Sequence, residues 1–232
     1  MPIDDDSILR FLPRIEQRSL LILDSIRFSA ELVKFSFDKL EETIIDTSLN
    51  SNQKNIPELF YFAWNAIDQS QRLLKIIQKL DSKSDHDSIK KIADSIRLSR
   101  NTYQHLDQRI DTILINDKNP FFGKLKWCFS YKDETFADFI AVSGTYLSPS
   151  HELRIGSFSA EATIQNIILE TVDQNNTIEI NLTELRSNIR LEIIKIENSL
   201  NDLIKSNNLN PIDRSSITDI LLIFKGEKQV II

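Results

Sequence analysis

No glycine occurs in the first 122 residues; all four, Gly123, Gly144, Gly156 and Gly226, come later. Tight turns and bulges need glycine and helix interiors avoid it, so a glycine-free stretch of this length predicts long helices joined by polar connectors. Within it Ile15, Ile22, Ile26, Val33, Phe37, Leu40 and Ile44 recur at steps of three, four or seven, the spacing of one helix face. This places a first helix over 7–46, loosened at Pro13, and a polar loop over 47–55. Pro57 suits the first turn of a second helix, whose face carries Phe60, Ala63, Ile67, Leu74 and Ile77 and which ends near Leu80. After a polar connector over 81–87, Ile89, Ile92, Ile96, Tyr103, Ile110 and Leu114 mark a third helix, stopped by Asn119-Pro120.

From Gly123 onward short segments rich in aromatic and β-branched residues replace the helical spacing, at 126–131, 139–142, 152–155, 163–172 and 177–180. They read as an antiparallel meander with Asp173-Gln174-Asn175-Asn176 as its clearest hairpin turn. Helical spacing returns with Leu182, Leu185, Ile189, Ile193, Ile196, Leu200 and Leu203, a fourth helix capped by Asn181 or Thr183 and ending at the polar run 206–208. The tail after Pro211 reads equally as a strand pair turning at Gly226 or as a last helix. The expected fold class is α+β, a mainly helical bundle of four long helices with a small antiparallel sheet inserted. Residues 1–122 form the first part of the bundle, 123–180 the inserted sheet, 181–208 the fourth bundle helix and 209–232 a tail.

A chain of 232 residues that is 41% hydrophobic has the material for a real core. Its formal charge of −6 argues against a surface drawn as a whole onto nucleic acid or an anionic membrane, so a polyanion must be held by a local patch. The single cysteine, Cys128, and a start that has neither the basic nor the apolar region of a signal peptide make the cytoplasm the expected compartment. The longest apolar run, Ile220-Leu221-Leu222-Ile223-Phe224, falls far short of the roughly 20 residues of a membrane span.

The chain lacks a Gly-rich phosphate loop, a cysteine pair for zinc and a Gly-x-Ser-x-Gly elbow. His86 lies between acidic neighbours in a polar connector and reads as solvated, and His151 follows a Ser-Pro-Ser turn. Cys128, between Trp127 and Phe129 in a strand, reads as a packing residue rather than a nucleophile. Neither a metal site nor a cofactor is expected.

The third helix differs. At about 100° per residue, Arg97, Asn101, Gln104, His105 and Gln108 share one polar side, while Arg100 and Asp107 fall among the apolar residues of the other. A charge at core spacing needs a partner or a cleft, since an unpaired buried ion is worth several kcal/mol of instability. Arg100 and Asp107 bridged directly or through Tyr103, or both facing a subunit interface, is the structural explanation. Residues 90–109 carry five basic and two acidic side chains against −6 for the whole chain, which places a basic patch here.

Arg100-Asn101-Thr102-Tyr103-Gln104-His105 also resembles the Arg-x4-His signature of the HEPN superfamily, including the polar residue after the arginine, and 106–110 resembles the continuation in some bacterial members. The resemblance implies a bundle of four or five helices that dimerises so that two motifs face one cleft. Many members are metal-independent endoribonucleases of toxin–antitoxin or anti-phage defence systems, and others bind without cutting. The position modified in one class of HEPN toxins, a tyrosine two places after the histidine, is Asp107 here.

By this resemblance Arg100, Asn101 and His105 are the catalytic candidates, with Arg97, Gln104, Gln108 and Arg109 as substrate-binding residues. The chemistry is consistent with RNA cleavage. A histidine can take the ribose 2′-hydroxyl proton or protonate the leaving 5′-oxygen. The arginine fork matches the phosphate oxygens of the pentacovalent state, and Asn101 orients one or the other. One subunit supplies one histidine, so a homodimer would provide both acid and base, leaving a 2′,3′-cyclic phosphate. The alternative is a non-catalytic HEPN-like module that binds RNA, a nucleotide, or a protein such as an antitoxin. A third reading makes the motif a coincidence in a structural protein.

Overall fold

The computed structural model describes residues 3–50, 53–80, 93–94, 96–97, 122–131, 135–143, 163–173, 176–209 and 219. Among them lie three long helices, α1 (Gln17–Asn50), α2 (Ile56–Ile77) and α3 (Leu182–Ser206), and four strands, β1 (Lys124–Ser130), β2 (Phe136–Val142), β3 (Ile164–Asp173) and β4 (Asn176–Asn181). The chain is α+β, as its patterning predicts. The expected four long helices are three among the described residues. Of the expected third, only 93–94 and 96–97 are described, and these are helical.

α1 and α2 pack along one another through the predicted faces. Ile26, Val33, Phe37, Leu40 and Ile44 of α1 and Phe60, Ala63, Ile67, Leu74 and Ile77 of α2 are all buried. The start of α1 corrects the sequence reading. The helix does not begin at Ser7 but at Gln17, and 8–10 form a single 3₁₀ turn that Ser7 Oγ caps at Leu9 N, 3.2 Å away. Pro13 disfavours helical backbone at the residue before it, so the chain stops there and restarts. Glu16 provides the restart, its carboxylate accepting from the backbone N–H groups of Arg18 and Ser19 at 2.8 and 2.9 Å. At the other end α1 continues to Asn50, through residues read as loop. Thr47 Oγ1 bonds back within the helix to Thr43 O at 2.7 Å, and buried Ser48 accepts from Trp127 Nε1 of the sheet at 2.9 Å, so both polar side chains find partners while the chain stays helical.

The sheet is antiparallel in the order β2-β1-β3-β4, which corrects the meander. β1 pairs with β2 on one edge and β3 on the other, so the chain crosses from one side of β1 to the other between β2 and β3. The hairpin between β3 and β4 is where the sequence placed it, with Asp173 opposite Asn176. The expected strand over 152–155 and the structure of the tail lie outside the described residues, save Leu209 and Asp219.

Leu125, Trp127 and Phe129 alternate inward along β1, and Leu169 joins them from β3 opposite Leu125. They continue the same hydrophobic core that α1, α2 and α3 build. Gly123 opens β1 with φ +93°, and a Cβ there would stand 2.5 Å from Glu170 O, so no other residue fits. Opposite Trp127 the β1–β3 register shifts, and Asn166 takes a left-handed φ of 52°. The neighbouring Ile167 N donates to Thr183 Oγ1 at 3.1 Å. Of the two candidate caps of α3, Asn181 is the one used, accepting from Glu184 N at 3.0 Å, while Thr183 anchors the helix to the bulge.

Candidate functional site

The sequence-predicted site divides at Arg97. Arg100, Asn101, Gln104, His105, Gln108 and Arg109 lie outside the described residues, as does Asp107. Arg97 is on helical backbone with 61% of its side chain exposed, 3.5 Å from Asp94, while Ile96 beside it is buried in the core. The two neighbours thus have the polar and apolar sides that the helical spacing assigns them. His86 and His151 also lie outside the described residues. Cys128 is buried, and burial first, with Asp138 beside it, pushes its thiol up to about 11. Such a thiol is protonated at neutral pH, consistent with a packing role.

A cavity of about 680 Å³ opens where the start of α1, the end of α2 and the last turns of α3 converge. Its floor is apolar, formed by Ile22, Leu23, Ile77, Ile196, Leu200 and Leu203, and its rim carries Arg14, Arg18, Lys79 and Lys195 with Glu16 and Glu192. The carboxylates are engaged: Glu16 caps α1, and those backbone bonds hold its carboxyl below the usual range, while Glu192 pairs with Lys195 at 2.6 Å. Among the described residues no histidine or cysteine lines it. This arrangement suits holding a ligand better than moving protons. Sequence reasoning missed it, because its residues come from three elements whose relative placement no local spacing encodes.

Three other charged groups stand out. Arg27, 3% exposed on α1, bonds Asp24 at 2.9 Å, Glu31 at 3.0 Å and Asp219 at 3.0 and 3.1 Å. Burial alone would lower the guanidinium pKa, but Asp219 and Asp24 outweigh it and hold it above the ordinary value. Glu170, on the outer side of β3, receives Lys124 at 3.0 Å and Lys126. Burial works to raise its carboxyl pKa, and the two ammonium groups overcome that and keep it low. Arg186 of α3 reaches back to Asp38 and Glu41 of α1 and lies over the Phe37 ring. Each is an ion-pair network that ties neighbouring parts of the fold together. No group of three or more metal-ligating side chains is placed to hold an ion among the described residues. None of their helices is long and apolar enough to cross a membrane.

Comparison with protein-family models, with curated proteins and with solved structures found no match to this chain.

Proposed function

We propose that this protein is a HEPN-type, metal-independent endoribonuclease that acts as a homodimer, with Arg100, Asn101 and His105 as its catalytic group, in a toxin or anti-phage defence setting. The observation that carries the reading is the Arg-x4-His run inside a stretch, residues 90–109, that carries five basic and two acidic side chains in an acidic chain. At its entry Arg97 is exposed on helical backbone and Ile96 is in the core, the sides that the helical spacing gives these two residues. In this reading His105 moves the proton at the 2′-oxygen or the leaving 5′-oxygen, Arg100 neutralises the phosphorane, and Arg97, Gln104, Gln108 and Arg109 hold the RNA.

The test is cleavage of single-stranded and structured RNA in EDTA. Wild type should cut and His105→Ala should lose on the order of 10² to 10⁴ in rate. Arg100→Lys should also be poor, because an ammonium keeps the charge and loses the fork. Intact RNA with wild type, or equal cutting by His105→Ala, overturns catalysis.

One observation favours the second reading, a non-catalytic binding module: the cavity between α1, α2 and α3 is apolar, of ligand size and without an unengaged acid–base pair. RNA or nucleotide binding that persists in His105→Ala without cleavage selects it.

A further inference from the structure

The cavity where α1, α2 and α3 converge has a lining of two kinds. Every apolar residue in it, Ile22, Leu23, Ile77, Ile196, Leu200 and Leu203 among them, is isoleucine or leucine, and among the described residues no aromatic ring lines it. An aliphatic wall without rings offers nothing on which a base would stack, and it matches a flexible alkyl chain. Leu203 leaves 43% of its surface uncovered on that wall, although the helical spacing of α3 would turn it into the core. In a recess of about 680 Å³, this is apolar surface that an alkyl chain would take out of water.

The rim supplies the other half of the pattern. Arg14, Arg18, Lys79 and Lys195 are all exposed there, against two carboxylates that are already committed. Glu16 is held by the backbone N–H groups of Arg18 and Ser19, and Glu192 by Lys195. The mouth therefore carries a surplus of positive charge in a chain whose net charge is −6. An aliphatic floor beneath a cationic mouth complements a ligand with an alkyl tail and an anionic head. A methylene displaces about the volume of a water, roughly 30 Å³, so a chain of about 14 carbons with its carboxylate occupies about 70% of the cavity, and two such chains do not fit. We propose that this cavity binds one single-chain fatty carboxylate of about 12–16 carbons, its tail on the Ile and Leu floor and its head met by Arg14 and Lys79 at the rim. The site does not rest on the RNA chemistry proposed for Arg100 and His105, since its binding is read without RNA and either can fail alone.

Calorimetric titration of the full chain with straight-chain carboxylates, each below the concentration at which it forms micelles, tests it. Dodecanoate and tetradecanoate should bind saturably, one molecule to each chain. Each methylene removed, down to decanoate, should weaken binding about fourfold, and chains longer than about 18 carbons should gain nothing more because the cavity is full. Arg14→Glu combined with Lys79→Glu, both at exposed positions, should weaken dodecanoate at least about tenfold and leave dodecanol unchanged, a split that misfolding would not produce. Ile196→Trp, which fills the floor, should weaken the acid and the alcohol alike. Absence of saturable binding overturns the proposal. So does affinity that keeps rising with chain length, equal loss of both ligands in the charge variant, or displacement of dodecanoate by ATP. A chain that floats with phosphatidylglycerol vesicles yet ignores dodecanoate overturns it as well.

Discussion

α1 and α2 obey the same spacing rule and end in different circumstances. Both bury the predicted stripe against each other, yet the one strongly exposed large apolar residue of α2 is Tyr61, whereas α1 leaves Leu21, Phe28, Leu32, Phe35, Ile45 and Leu49 in solvent. α2 spends its large apolar side chains, save Tyr61, on the core. α1 lies at the outside and still carries a second apolar face.

The largest effect that separates the two faces is expected from neighbouring phenylalanines. Phe37→Ala removes a ring that is 1% exposed and lies under the Arg186 guanidinium, 5.7 Å from its centroid, and should lower folding stability by about 3–5 kcal/mol. Phe35→Ala, two residues away, should change the stability of the monomer by less than about 0.5 kcal/mol. Equal losses in urea unfolding at concentrations where the chain is monomeric would erase the distinction between the faces.

A smaller effect follows at the edge of the inner face. Arg27 is the buried cation of α1, and Arg27→Met leaves three carboxylates facing an empty position, for an expected loss of about 2 kcal/mol, discounted because those carboxylates are partly exposed. Lys34→Met, which removes one partner of Asp38 whose side chain is 27% exposed, should be nearly silent by the same unfolding measurement.

The outer side of the sheet offers a comparison in pH. The carboxyl of Glu170 is held below its ordinary range in the folded chain, so its contribution is fully present above the unfolded glutamate pKa of about 4.3 and is lost as pH falls through the folded value. Glu170→Gln should therefore destabilise by about 1–2 kcal/mol at neutral pH, with the difference from wild type shrinking below about pH 4. A constant difference across that range would mean that packing, and not charge, sets its role. Asn181→Ala should take about 1 kcal/mol from the start of α3, read as a lower thermal midpoint with the sheet intact.

What was legible in the sequence follows the range of the interactions involved. The core faces of α1, α2 and α3, the β3–β4 hairpin and the Asn181 cap are encoded by neighbours within about four residues, and all were readable. Leu203 is an instructive exception: it continues the spacing of α3 but is 43% exposed, and Ile204 is the buried residue of that turn. The end of α1 was misread because Thr47 and Ser48 are polar, and only the distant Trp127 explains why Ser48 stays helical. The strand order was misread because local alternation states which face a residue takes but not which strand lies beside it. The outer stripe of α1 was present in the sequence too, yet a second apolar face blurs the contrast by which helical spacing is recognised. For the site, Arg97 and Ile96 took the sides assigned to them, and the residues from Arg100 to Arg109 lie outside the described residues.

The measurement that bears most directly on the central claim is the chemistry of the RNA ends left by the purified protein in EDTA. Attack by the 2′-hydroxyl, with His105 moving the proton and Arg100 holding the phosphate, predicts fragments ending in 2′,3′-cyclic phosphate and 5′-hydroxyl, absent with His105→Ala at equal folding and equal mass. RNA left intact by wild type, or fragments ending in 3′-hydroxyl and 5′-phosphate, would contradict it.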